Sequence, residues 1–219
     1  MENNKPSQEL LAQLGKYFQA HPWHGVSAGD KSPEILRSYI ETVPGDHMKY
    51  EICKKTGYLF IDRPNKYSNI IPALYGFVPQ TYCAEEVAAR CMEVEGLTNI
   101  VGDGDPLDIC VLADRPIVHG GILLDAKVIG GFRMIDGGEA DDKIIAVLKG
   151  DQTYGEYNDI NDVPKALLKR LKHYFLTYKE DPDGDRNANK EVEIVSTYGK
   201  AEAYEVIKAS QADYKKHHG

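Results

Sequence analysis

The segment Gly102-Asp103-Gly104-Asp105-Pro106-Leu107-Asp108 places three carboxylates within six residues and runs straight into the apolar stretch 109–112. A chain built this way must hold acidic groups at a strand end, beside its core. Two carboxylates about 5 Å apart repel by roughly 3 kcal/mol at an effective dielectric of about 20. A partly buried cluster therefore needs cations or protons, and hard divalent cations such as Mg2+, which take oxygen ligands, meet that need. The competing reading is an Asp-rich surface turn, because D-G and D-P pairs are common turn formers; taken alone, the motif does not choose between them. A calcium loop of the EF-hand kind wants acidic or amide ligands at its first, third and fifth positions, Gly at the sixth and Glu at the twelfth. Counted from Asp103, the fifth position is Leu107; counted from Asp181, with Asp183 and Asp185 following, the sixth is Arg186 and the twelfth Val192. Neither fits.

A second acidic run, Asp136-Gly137-Gly138-Glu139-Ala140-Asp141-Asp142-Lys143, separates two apolar stretches. By itself it reads as a solvated hairpin loop, but adjacent strand ends would bring Asp136 and Asp141 beside Asp103 and Asp108. Lys49, Arg63 and Tyr75 precede the first cluster, and Lys143, Tyr178 and Lys179 follow it. Lys and Arg are charge partners for phosphate, and a Tyr hydroxyl adds a donor. Their convergence is left open at this level. Cys53, Cys83, Cys91 and Cys110 show neither a C-x-x-C pair nor zinc spacing and read as reduced packing residues. Ser68 reads as structural, and His173 as a helix-surface or packing residue, since Mg2+ prefers oxygen. His217 and His218 read as tail residues.

Along the chain, residues 7–20 carry Leu10, Leu11, Leu14, Tyr17 and Phe18 at helical spacing, which predicts an extra N-terminal amphipathic helix. His21-Pro22-Trp23-His24-Gly25 breaks it. From residue 35 to about 148 the pattern becomes short β-rich runs, at 50–53, 58–61, 109–112, 122–129 and 144–148, with Lys54-Lys55-Thr56-Gly57 as a hairpin turn. Strands at this spacing without intervening helices predict an antiparallel sandwich or barrel rather than a parallel sheet. A helix follows with Leu167, Leu168, Leu171, Tyr174, Phe175 and Tyr178 on one face, after the start signals Asp162 and Pro164. Another runs over about 200–215, turning Tyr204, Ile207 and Tyr214 inward. The most irregular segment is 82–102, with Glu85, Glu86, Glu93 and Glu95.

The 219 residues show no repeat, low-complexity tract or linker, and a chain of that length buries roughly 70% of its unfolded surface. One domain is expected over 1–219, with 1–34 as a helical extension and 82–102 as an inserted loop. A formal charge of −8 opposes nonspecific binding to nucleic acid or acidic membranes. No apolar run approaches the roughly 20 residues of a membrane span, and Met1-Glu2-Asn3-Asn4-Lys5 lacks a signal peptide's apolar core. The cytoplasm is the expected compartment.

In sequence order, Lys49-Tyr50-Glu51, Asp62-Arg63, Leu74-Tyr75-Gly76-Phe77, Asp103-Gly104-Asp105-Pro106-Leu107-Asp108, Asp136 with Asp141 and Lys143, and Tyr178-Lys179 match a known set of segments. They resemble the K-Y-E, D-R, N-Y-G-Y-like, D-G-D-P-x-D, D-x-x-x-x-D-x-K and H-Y-K-like segments of family I soluble inorganic pyrophosphatases. The likeness covers about 41–179. It implies an α+β fold, mainly β, with a five-stranded closed, OB-like β-barrel flanked by helices. It implies hydrolysis of inorganic pyrophosphate to two phosphates by a metal-activated water, without a covalent intermediate. On the same resemblance, Asp103, Asp108 and Asp141 would ligate the tightest Mg2+ ions, Asp136 would help hold metal arriving with substrate, and Asp105 would be the general base. Lys49, Arg63, Lys143, Tyr178 and Lys179 would bind the phosphates, with Tyr75 lending its hydroxyl, while Glu41 and Glu51 would order water and metal from behind the ligands. Several Mg2+ ions per site are implied, with Mn2+ able to substitute, and the expected assembly is a homo-oligomer.

Three departures stand out. Ile71 occupies a place where the family often has tyrosine. Glu41 aligns only if one residue is deleted before Lys49. Residues 83–100 form an insertion relative to short bacterial members, while His21-Pro22-Trp23-His24 and the N-terminal helix resemble longer variants. Two alternatives compete: a nucleotide pyrophosphatase or phosphatase, which needs room and stacking groups for a base, and a non-catalytic barrel that binds single-stranded nucleic acid through aromatics on a basic face. The acidity of the chain opposes the second.

Overall fold

The computed structural model describes residues 7–15, 18–180, 183 and 192–219. Tyr17, and Asp181 and Asp185 of the rejected calcium-loop spacing, lie outside the described residues. In chain order the elements are α1 (Gln8–Leu14), β1 (Ile35–Thr42), β2 (Met48–Ile52), β3 (Leu59–Pro64), β4 (Leu74–Phe77), α2 (Glu85–Glu95), β5 (Val101–Gly102), β6 (Asp108–Leu112), β7 (Ile122–Asp136), β8 (Glu139–Ala140), β9 (Lys143–Leu148), α3 (Lys165–Thr177), β10 (Val192–Gly199) and α4 (Lys200–His218).

Five strands form a ring. β1 pairs β4, β4 pairs β6, β6 pairs β9, β9 pairs β7, and the first half of β7 returns to β1. The second half of β7 carries β10. The β6–β9 and β5–β8 pairs are parallel, where antiparallel neighbours were expected throughout. The hairpin of β2 and β3 forms a separate ladder, and its turn is made where expected: Thr56 and Gly57 both donate to the Cys53 carbonyl.

Side chains alternate across a strand, and the ring uses both faces. Leu36 and Ile40 of β1, Leu74 of β4, Ile109 and Val111 of β6, Ala126 and Val128 of β7, and Ile144 and Ala146 of β9 meet in the one cluster that all five strands share. The intervening Cys110, Leu112, Ile145 and Val147 face a second cluster, completed by Leu171 and Phe175 of α3. Burial on both faces is why 109–112 and 144–148 read as unbroken apolar runs. β4 approaches β1 so closely that a Cβ at Gly76 would lie 1.9 Å from the Tyr39 carbonyl oxygen, so only glycine fits there.

Three expectations are corrected. Segment 82–102 is not an irregular loop but contains α2, three turns long, which buries Val87, Ala88 and Cys91. Its first residues lack a capping side chain of their own. The cap comes from α4, where fully buried Asp213 accepts from the backbone N–H of Ala84 (2.9 Å), Glu86 (3.0 Å) and Val87 (3.1 Å). Second, α1 is shorter than 7–20, and Leu10, Leu14 and Phe18 are exposed rather than packed on the ring. Third, His217 and His218 are not a loose tail. α4 runs through them, the His218 ring lies 5.1 Å from Trp23 and 4.9 Å from Tyr82, and His217 meets Glu85 at 2.8 Å.

Removing the Asp213 cap strands three backbone donors of α2 at once. Asp213→Ala should therefore lower the free energy of unfolding by about 1–3 kcal/mol, read from the urea midpoint. An unchanged midpoint would show that α2 is held by its apolar side alone.

Candidate active site

Asp108 opens β6 and Lys143 opens β9, and the two are direct partners in the parallel ladder. Both lie on the face that continues into Cys110 and Ile145 beneath α3, so the apolar layer of that face ends in an ion pair. Lys143 is 3% exposed, and its ammonium donates to Asp108 and to Asp141. Tyr75, on β4 beside β6, donates its hydroxyl to the same Asp108 carboxylate.

The Asp103–Asp108 loop is shaped by short-range bonds. Asp103 accepts from the Asp105 backbone N–H at 3.0 Å, Gly104 donates to the Cys83 carbonyl at 3.0 Å, and Leu107 donates to the buried Thr81 hydroxyl at 2.9 Å. Gly104 turns with a φ of 73°, a left-handed conformation that glycine adopts without strain. These bonds aim Asp103, Asp105 and Asp108 into one cleft of about 280 Å³. Lys49, Glu51 and Arg63 reach it from the β2–β3 hairpin, Glu41 from β1, Asp136 from the end of β7, and Asp141 from the turn before β9. Tyr178 and Lys179 close it from the end of α3. The structure thus brings together all thirteen side chains named from the sequence.

Eight carboxylates and five cationic side chains line the cleft, which leaves it short of positive charge. The consequences are visible group by group. Burial, then the charges of Asp141 and Asp108, push Asp103 up to about 9. Burial also raises Asp141, with Lys143 only partly countering it. Burial alone would lower Lys143, but Asp108 and Asp141 outweigh it and hold the ammonium well above its ordinary value. At the back, burial pushes Glu41 up to about 8, against the pull of the Ile52 N–H bonded to it at 2.8 Å. Each cation has an acidic partner: Lys49 with Glu51, Arg63 with Asp62, Lys143 with Asp108 and Asp141, Lys179 with Asp136, and Lys54 with Asp105.

Lys54 and Glu139 also line the cleft without a role assigned from the sequence, and Asp62, matched there only as the neighbour of Arg63, is the partner of that guanidinium. Lys54 had been absorbed into a hairpin turn, and nothing local shows that the turn leans over the Asp105 loop. The oxygen-only donor set of Asp103, Asp108, Asp136 and Asp141 suits hard divalent cations. Neither histidine nor cysteine lines the cleft among the described residues, which sets it apart from zinc-type chemistry. Elsewhere Glu85, Asp213 and His217 bring ligand atoms within 4.8 Å of one another. There, however, the Asp213 oxygens are engaged by three N–H groups, and a cation would face the positive end of α2.

The family model for inorganic pyrophosphatase matches residues 38–215. The chain is 50% identical to an inorganic pyrophosphatase of Chlamydia caviae over 213 residues, covering 97% of this chain and 94% of the relative. It is 36% identical to a soluble inorganic pyrophosphatase of Zea mays, covering 96% of this chain and 87% of that one. Among solved structures it is similar to the inorganic pyrophosphatase of Thermus thermophilus, with a TM-score of 0.73 and 31% identity over 90% of this chain and 99% of that one.

If Lys143 neutralises Asp108 and Asp141, Lys143→Met should leave two partly buried carboxylates facing one another. In EDTA the unfolding free energy should fall by about 3–5 kcal/mol, and added Mg2+ should raise the thermal midpoint more in the variant than in the wild type. A midpoint unmoved in EDTA would show that protons, not Lys143, neutralise the pair.

Proposed function

We propose how this cleft works from one premise: the chain belongs to the inorganic pyrophosphatase family and hydrolyses pyrophosphate to phosphate. Enzymes of this family are metal-dependent, and the observation that carries our reading is the pairing of every cleft cation with a carboxylate beside an oxygen-only donor set. We take the metal to be Mg2+, several ions per site, with Mn2+ able to substitute, held by Asp103, Asp108 and Asp141, with Asp136 engaging ions that arrive with substrate. When bound, such ions neutralise charge on both phosphates and acidify the attacking water.

The chain's own residues do the rest. With Asp108, Asp141 and Asp136 holding metal, their partners Lys143 on the floor and Lys179 at the end of α3 would be free to bind the phosphates, joined by Lys49 and Arg63 from the hairpin side and by Tyr178 donating from the same helix end. Tyr75 works through Asp108, whose carboxylate its hydroxyl fixes in place. Glu41 and Glu51 order water behind the ligands. Asp105, half exposed at the mouth and bonded to Lys54, accepts the proton of the attacking water. No serine or cysteine lines the cleft among the described residues, and the attack is direct, with no covalent intermediate. Pyrophosphate, rather than ATP or nucleic acid, is the substrate, and competition between pyrophosphate and ATP for phosphate release tests this. Among the described residues no helix is long and apolar enough to cross a membrane; we place the enzyme in the cytoplasm, assembled with copies of itself.

Two measurements test the assignment. Ca2+ coordinates more loosely and acidifies water less than Mg2+, so turnover with Ca2+ should be a small fraction of that with Mg2+; equal rates would sink the mechanism. Asp105→Asn keeps the shape of the side chain and loses the base, so kcat should fall by about 10²- to 10⁴-fold while calorimetry still shows Mg2+ binding. Near wild-type turnover at saturating metal would reassign the proton transfer.

A further inference from the structure

Directly behind the cleft lies a second ionic cluster that the reaction does not touch. Arg133 of β7 and Asp142, in the turn before β9, are both sealed from solvent, and the guanidinium donates to Asp142 at 2.9 Å. The Tyr198 hydroxyl of β10 donates to the other oxygen of Asp142 at 3.1 Å. Arg133 also donates to Glu202 of α4, which is gripped in turn by Arg90 of α2 at 3.1 Å. Glu95, at the end of α2, stands 3.7 Å from Arg133 and accepts from Ser196 of β10.

The placement of Asp142 gives this cluster its meaning. In extended chain, neighbouring side chains point to opposite faces and second neighbours share one. Asp141 and Lys143 point into the cleft and bond to one another, so Asp142 between them points away from it, into the Arg133 cluster. The backbone on either side is pinned as well, since the Asp141 N–H donates to the Met134 carbonyl at 2.9 Å and Lys143 pairs with Phe132. Arg133 sits between those two partners. A metal-ligand carboxylate and a phosphate-binding ammonium are thus mounted on the two sides of a residue clamped from behind.

We infer that Arg133, Asp142 and Tyr198 are positioning residues for the reaction: the buried Arg133–Asp142 pair, steadied by Tyr198, sets the direction of Asp141 and Lys143, and through Glu202 and Arg90 it ties α2 to the cleft. This rests on the reading of Asp141 as a metal ligand. An isolated buried ion pair is weak evidence for stability, because apolar residues of similar volume often do as well. A pair placed for stability alone would be replaceable; a pair placed to aim Asp141 would not. Partners that orient metal ligands from behind typically change metal affinity or activity by about 10- to 100-fold when mutated.

The experiment compares Asp142→Asn, Arg133→Met, the double variant and Tyr198→Phe with the wild type. Stability is read in EDTA from the urea midpoint, Mg2+ affinity by calorimetry without substrate, and kcat and the Mg2+ requirement by phosphate release. The single variants should be destabilised and the double variant partly restored, because it leaves no buried guanidinium unpaired and Glu202 keeps Arg90. In all three, Mg2+ affinity should fall by about 10- to 100-fold while kcat at saturating Mg2+ changes only a few-fold. Tyr198→Phe, which removes one hydrogen bond and keeps the ring, should show a several-fold loss of Mg2+ affinity and decides the matter if the charge variants do not fold. Wild-type Mg2+ affinity in the double variant, or in Tyr198→Phe, overturns the inference and leaves the cluster purely structural. Asp141→Asn serves as the control: if its Mg2+ affinity is unchanged, the metal-ligand reading fails first; if it falls while the variants behind the cleft bind normally, only the positioning role fails.

Discussion

The register that sets Asp108 of β6 opposite Lys143 of β9 is the constraint on which the site depends. Below that pair, the same face of the two strands is apolar and buried under α3. A slip of one residue would turn Ile109 and Ile144 to that face and send both charged groups elsewhere, and burial on both faces is what forbids such a slip. Tyr75 follows from the same register, because β4 lies beside β6 and places its hydroxyl on Asp108. The barrel is therefore the device that brings a carboxylate, an ammonium and a phenol from three distant stretches of chain to one strand end.

Charge then explains why the cleft is reactive rather than merely polar. Burial first, and then the neighbouring carboxylates, raise Asp103 and Glu41, so the charged form of the cluster is disfavoured. The ammonium and guanidinium groups relieve part of that penalty by pairing with the acids. On the proposed reading a complex of divalent cations with a polyanion relieves more, the carboxylates holding the metals and the lysines and arginine holding the anion. Such an exchange asks for no large backbone movement at Lys143 or Lys179, since each already stands beside a carboxylate proposed to hold metal. The acidity of the chain and its action on an anion are compatible on that reading, in which the carboxylates bind the cations that make the anion welcome.

What could be read from the sequence was what is local. The Asp103–Asp108 loop, the hairpin of β2 and β3, the strands β6 and β9, and the helix α3 each carry their signals within a dozen residues, and the ordered motifs supplied the convergence that periodicity cannot. What escaped was long-range. α2 reads locally as irregular chain because its cap, Asp213, lies 129 residues from Ala84, and its buried side is only Val87, Ala88 and Cys91. His217 and His218 read as a tail because their partners, Glu85, Tyr82 and Trp23, come from remote segments. α1 shows the converse failure: Leu10, Leu14 and Phe18 have helical spacing, but among the described residues nothing covers them and the three side chains are exposed. Periodicity announces an apolar stripe, not what covers it.

The segments that escaped share a location. α2 and β10 supply Arg90, Glu95, Ser196 and Tyr198 to the cluster around Arg133, to which the legible α4 adds Glu202, whereas the residues legible as motifs lie around the cleft. Cleft residues must be of a given chemical type, because metals and phosphates are insensitive to the fold that presents them, and type is what a motif records. Residues behind the cleft need only complement one another, so an Arg133–Asp142 pair leaves no pattern in a single sequence although it is as deeply buried as any apolar contact. Asp142 sits at the boundary of the two regimes. Read along the chain it is one more acid in Asp141-Asp142-Lys143; read in three dimensions it is the only one of the three that turns its back on the chemistry, and the alternation of an extended backbone makes its anchoring and the aim of its neighbours a single geometric fact.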